Sequence, residues 1–194
     1  PSQATLGNMT LVNSNLTLTG SAPSASFSRL GGNGVLSATA LSGQDVIVRD
    51  AIAPGLSIGK TIVLGNLTMA STSVYEWEMF SAGVAGVDYD TASVSGTLTL
   101  VDGWTLQLQP ADYFAEALPD DKFYIFTDYV NDDALGLWSI DDSLIAGNDL
   151  WDASGAYLGE DELGIFLSGL LKAAPEPSTF ALAMLGLLGL VWCA

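Results

Sequence analysis

Short runs in which apolar and polar residues alternate, each cut off within a few positions by glycine or asparagine, constrain this chain more than any other feature. Tyr75, Trp77 and Met79 alternate with Glu76 and Glu78. Val46 and Val48 alternate with Ile47 and Arg49, and the Leu98/Leu100 and Leu106/Leu108 pairs repeat the pattern on either side of Asp102-Gly103. A period of two puts one set of side chains on a buried face and the other in water, which is the signature of a strand. The same reading gives strands at 5–12, 16–19, 35–41, 45–50, 60–64, 67–69, 74–80, 93–100, 104–109, 122–128, 138–140 and 163–167, with one brief helix at 111–118. Gly31-Gly32-Asn33-Gly34 reads as a tight turn needing positive φ. Gly65-Asn66 and Asp102-Gly103 carry the chemistry of tight turns between strands. Residues 110–172 hold many of the aromatic residues and aspartates and read as the closing part of the same domain.

The last stretch breaks this pattern. From Thr179 to Ala194 every residue is apolar or small, and no charge follows Lys172 except Glu176. At about 1.5 Å per residue this run spans roughly 24 Å, somewhat less than a hydrocarbon core of about 30 Å. Pro177 suits a first helical turn, and Ser178 and Thr179 can satisfy its free N–H groups. A soluble helix normally keeps one polar side, and this one has none, so a membrane helix over 179–194 is expected. Gly186 and Gly189 would let that helix pack closely against another.

Pro175-Glu176-Pro177-Ser178-Thr179 followed by Phe180-Ala181-Leu182-Ala183-Met184-Leu185-Gly186-Leu187-Leu188-Gly189-Leu190-Val191 resembles the PEP-CTERM sorting signal of bacterial surface proteins. That resemblance implies export, membrane anchoring and, often, removal of the tail by a dedicated protease. Such signals normally close on a cluster of arginines, whereas this chain runs to Trp192-Cys193-Ala194. The start at Pro1, without methionine or signal peptide, is read as that of a mature or partial product.

A second resemblance concerns the body. Ala53-Pro54-Gly55-Leu56-Ser57-Ile58-Gly59, Leu64-Gly65-Asn66-Leu67-Thr68-Met69, Asp88-Tyr89-Asp90 and Val94-Ser95-Gly96-Thr97-Leu98-Thr99-Leu100 follow one another. They look like the strand repeats of autotransporter passengers and of many PEP-CTERM proteins. The resemblance implies an all-β fold, a short β-solenoid or stacked-strand domain. A compact antiparallel β-sandwich fits the same strands. The expected organisation is an exported acidic β domain over 1–172, a linker at 173–178 and the membrane helix.

Charge and composition narrow the function. With 22 acidic residues against five basic ones, the net charge is −17, which repels nucleic acid. There is no histidine, and the single cysteine, Cys193, lies in the tail. Disulfides, Ser-His and Cys-His nucleophiles and most zinc chemistry are therefore absent from the body. Glu76/Glu78 and Asp88/Asp90 could be imagined as hydrolytic carboxylate pairs, but any wet strand face gives such spacing. Aspartates in turns most simply solvate them; the chemical alternative is a weak Ca²⁺ site made by Asp128, Asn131, Asp132 and Asp133. Trp138, Trp151, Tyr113, Tyr129 and Tyr157 could stack on sugars, although aromatics at strand spacing are more often core. Asn8, Asn15 and Asn66 open formal glycosylation sequons that are read as chance.

The expected function is that of a non-enzymatic exported surface or matrix protein, with no cofactor, touching membrane lipid and exopolysaccharide and no nucleic acid. The alternatives are an accessory single-span subunit of a membrane-protein complex, and a filament or layer subunit joined by strand edges.

Overall fold

The computed structural model describes residues 4–109, 120–132, 138–145 and 151–172. These residues form strands and no helix, and most of the strands join one nearly closed, barrel-like sheet. Three long strands come first: β1 (Ala4–Thr19), β2 (Ser24–Ala40) and β3 (Asp45–Pro54). Shorter ones follow: β4 (Lys60–Leu64), β5 (Asn66–Met69), β6 (Val74–Trp77), β7 (Thr91–Val94), β8 (Thr97–Leu100) and β9 (Trp104–Leu108). Next are β10 (Phe123–Thr127), β11 (Asn131–Asp132) and β12 (Trp138–Asp141).

Every ladder among these twelve strands is parallel. Each strand lies against one a full circuit of chain earlier, which builds three columns. In the first column Ala25, Val46, Leu67, Leu98 and Asp132 are successive register partners. The second holds Leu30, Ile52, Tyr75, Leu106 and Ile140. The third holds Leu36, Val63 and Val94, continued by Phe126 beside Ala92. The antiparallel sandwich is therefore not what forms. A sandwich needs each turn to fold a strand back on its predecessor, and these turns do not. Gly65, at φ +135, separates β4 from β5, and Gly103, at φ +94, separates β8 from β9. Neither pair of strands is hydrogen-bonded; the glycines turn the chain from one column to the next.

Alternation fills the interior as the sequence implies. Tyr75, Trp77, Met79, Leu106 and Leu108 are fully buried, and so is Leu98. The larger rings collect in the upper layers, where Tyr75 meets Phe126 edge-on at 5.1 Å and Trp77 meets Phe123 at 5.7 Å. Each such pair adds about 0.5–1.5 kcal/mol beyond its burial.

The expected tight turn at 31–34 is a correction. β2 runs straight through it, and only Gly32 has positive φ, at +89. The three glycines serve close approach instead: a Cβ on Gly34 would lie 2.4 Å from the Ser14 carbonyl oxygen, and one on Gly31 would lie 2.8 Å from that of Ala53. The predicted strand at 93–100 is broken between β7 and β8, and β2 begins at Ser24, ahead of the strand read from residue 35.

At the far end the parallel order stops. β14 (Tyr157–Asp161) and β15 (Gly164–Ser168) form a hairpin that pairs antiparallel onto β10, and β13 (Trp151–Asp152) pairs antiparallel with β16 (Leu171–Lys172). This hairpin covers the exposed side of the third column. The expected helices at 111–118 and 179–194 lie outside the described residues. Among the described residues no helix is long and apolar enough to cross a membrane.

Candidate functional site

A polar cleft of about 200 Å³ opens beside the second column, lined by Arg29, Glu76, Glu78 and Asp90 together with Thr10 and the 53–57 turn. β2 places Arg29 facing outward, and β6 places Glu76 outward because Tyr75 and Trp77 point in. The guanidinium grips Glu76 through both nitrogens, with Nη2 2.6 Å from Oε2. This contact holds the Arg29 pKa above its ordinary range, mainly through the hydrogen bond to Glu76. The pair is partly solvated, so its contribution to stability is modest, about 0.2–1 kcal/mol.

Asp90 is the unusual member. It is 1% exposed. Its Oδ1 accepts the Gly59 N–H at 2.7 Å and its Oδ2 accepts the Glu78 N–H at 2.9 Å. Its own N–H donates to the Glu78 carbonyl, and its carbonyl accepts the Trp77 indole N–H at 3.0 Å. Burial pushes its carboxyl up to about 8; the two backbone donors oppose that shift, and the charges of Glu78 and Glu76 add to it. Asp90 thus clasps the ends of the 78–90 excursion to the turn before β4. A buried acid that holds a proton at neutral pH can serve a reaction. Here both oxygens already take main-chain donors, which is the arrangement of a structural clasp.

The carboxylates of the two pairs take different partners, although Glu76 and Glu78 both line the cleft. Glu76 pairs with Arg29, whereas the backbone N–H of Glu78 serves Asp90. Asp88 is half-buried and orders its own loop: Val84 N–H and Ser81 Oγ donate to it at 2.6 and 2.7 Å and hold its pKa below the usual carboxylate range. Nothing in the local sequence distinguishes Asp88 from Asp90. The donors that select Asp90 come from Gly59 and Glu78, 31 and 12 positions away.

Of the residues expected to hold Ca²⁺, Asp128 sits at the cap end with φ +68. Its Oδ2 accepts Ser93 Oγ at 2.6 Å and Thr127 Oγ1 at 3.0 Å, with Lys60 Nζ at 3.7 Å. The Ser93 bond leads in lowering its pKa. Asn131 and Asp132 form β11 against β8, and Asp133 lies outside the described residues. Among the described residues no group of three carboxylate, thiol or imidazole side chains is placed to hold a metal ion. Tyr157 is half exposed and meets the Phe166 ring edge-on, Tyr129 Oη donates to Glu160, and Trp138 is partly buried against the core. Tyr113 and the Trp151 side chain lie outside what is described. Asn66, the third sequon residue, is structural: its amide donates to Asp45 Oδ1 at 2.8 Å and its carbonyl accepts the Thr97 N–H at 2.9 Å.

The other functional element begins where the described residues stop. Residues 173–193 match the PEP-CTERM protein-sorting motif. The motif contains Pro175, Glu176 and Pro177 and the glycines Gly186 and Gly189, all outside the described residues. It implies export with carboxyl-terminal membrane anchoring or sorting. No curated protein and no solved structure matches the chain.

Proposed function

We propose that this chain is a non-enzymatic exported surface or matrix protein, a short β-solenoid held or sorted at its carboxyl end by a membrane helix over 179–194. The observation that carries the reading is the sorting motif at 173–193, set directly behind a rigid body of parallel layers. Charge supports a passive, hydrated role. Before Asn66 the chain carries two acidic residues against three basic ones; from Asn66 onward it carries 20 against two. The layers nearest the tail are thus strongly anionic, which favours hydration and resists close approach of anionic headgroups. The polar cleft at Arg29 and Glu76 and the exposed carboxylates offer hydroxyl-rich polysaccharide a hydrogen-bonding surface.

Fractionation combined with intact-mass measurement of the native protein tests the proposal. The expected result is recovery outside the cytoplasm, either membrane-bound at full mass or released at a mass lacking the tail. Recovery in the cytosol overturns it. Full-length protein that co-purifies with an integral membrane complex favours the accessory-subunit reading, in which Gly186 and Gly189 pack against partner helices.

A further inference from the structure

We propose that β1 pairs through its free edge with β1 of a second copy of this chain, antiparallel, to form a two-fold dimer. Three observations converge on that edge. β1 is hydrogen-bonded to β2, and among the described residues no strand lies on its other side. Its outer row of N–H and C=O groups is therefore a template for another strand, and natural edges of this length are usually blunted by charge or proline. β1 has neither: from Ala4 to Thr19 it contains no Lys, Arg, Asp, Glu or Pro. β1 shifts register against β2 at Asn13, φ +46, and again between Thr17 and Thr19, so the edge on offer is the regular run before Asn13, where Ala4 to Val12 keep one register with β2.

Apolar side chains are also left uncovered there. Leu11 is buried, but Leu6 is 36% exposed and Val12 56%, and Met9, Leu16 and Leu18 are only partly buried against the core. The same columns deeper in the stack hold fully buried residues at Val46, Ile52 and Val63.

Charge selects the occupant. The chain carries −17, so most contacts between copies bring carboxylates together. The first charged residue is Arg29; residues 1–28 have none. A two-fold contact places the same surface on both partners, and only an uncharged surface does so here without opposing like charges. A head-to-tail stack would instead seat β1 near Glu160, Asp161 and Glu162 of the next copy and desolvate them without partners.

Pairing itself does not depend on the tether. Its test uses full-length chain solubilised in mild detergent, with Cys193→Ser and one new cysteine at a time. Under mild oxidation Thr10→Cys and Val12→Cys are expected to cross-link to dimer, and Leu163→Cys, in the cap, is not. Adding Thr10→Lys and Asn8→Lys is expected to weaken association about tenfold or more with thermal unfolding unchanged. Equal cross-linking at residue 163, a mixed product between Val12→Cys and Leu163→Cys chains, or a monomer at all concentrations each overturns the proposal. None of these readouts depends on where the chain resides in the cell.

Discussion

The two ends of the stack differ in how they finish. At the amino end the last layer, β1, is uncharged and incompletely covered, and among the described residues its outer edge is unpaired. At the carboxyl end the parallel ladders give way to the antiparallel β14–β15 hairpin, whose rim carries Glu160, Asp161 and Glu162. There Lys122 Nζ lies 2.7 Å from Asp161 and 4.4 Å from the Phe166 ring. A parallel stack has no natural end, because each layer leaves a fresh edge. Among the described residues one end closes with reversed strands and carboxylates and the other stays open, so the layers between them carry most of the stability.

The largest test of that contrast compares cavities. Leu67→Ala removes a fully buried side chain between layers and is expected to lose about 2–5 kcal/mol in urea unfolding. Leu6→Ala at the open layer should lose less than about 1 kcal/mol. Equal losses would mean that β1 is covered as well as the interior.

The second test is pH. Asp90 keeps its proton in the folded state up to about 8, whereas an unfolded aspartate loses it near 4. Between those values the folded chain binds more protons, so stability falls as pH rises through the window. Asp88, Asp128 and Asp161 are held low, and their smaller contributions are lost only in acid, as pH falls through their depressed values. Melting temperature should therefore peak near the acid edge of the window and decline toward pH 8. Asp90→Asn should flatten that decline while costing about 1–3 kcal/mol at low pH, because its amide cannot accept the second backbone N–H. A variant whose melting temperature still declines as steeply removes Asp90 as the cause.

A smaller effect is expected at Asn66, which links three layers. Asn66→Ala should cost about 1–2 kcal/mol through the lost bond to Thr97 N–H. Smallest is the Arg29–Glu76 pair. A double-mutant cycle with Arg29→Met and Glu76→Gln should give a coupling of about 0.2–1 kcal/mol that shrinks at 1 M salt.

Much of this architecture is legible in the residues. Alternation identifies β6, β8 and β9 and says which of their side chains point inward, because strand period is a local property. Pairing direction is not local. Gly65-Asn66 reads as a turn between strands on its own terms, yet β5 lands on β3 rather than on β4 because the preceding circuit offers a matching apolar column. Gly31, Gly32 and Gly34 read as a turn until β1 and β3 are seen pressing on them. Asp90 cannot be told from Asp88 before Gly59 is placed beside it. The tail, by contrast, is read from its own composition and order, since a sorting signal is a contiguous segment.

The central claim is that this body stands outside the cytoplasm on a carboxyl-terminal tether. Spheroplasts carrying the Cys193→Ser, Leu163→Cys chain, whose new thiol lies at an exposed position of the cap, treated with a maleimide that cannot cross the cytoplasmic membrane, test it most directly. Labelling of Leu163→Cys is expected on intact spheroplasts, on protein that sediments with membrane or is released without its tail. Labelling that appears only after lysis would contradict it.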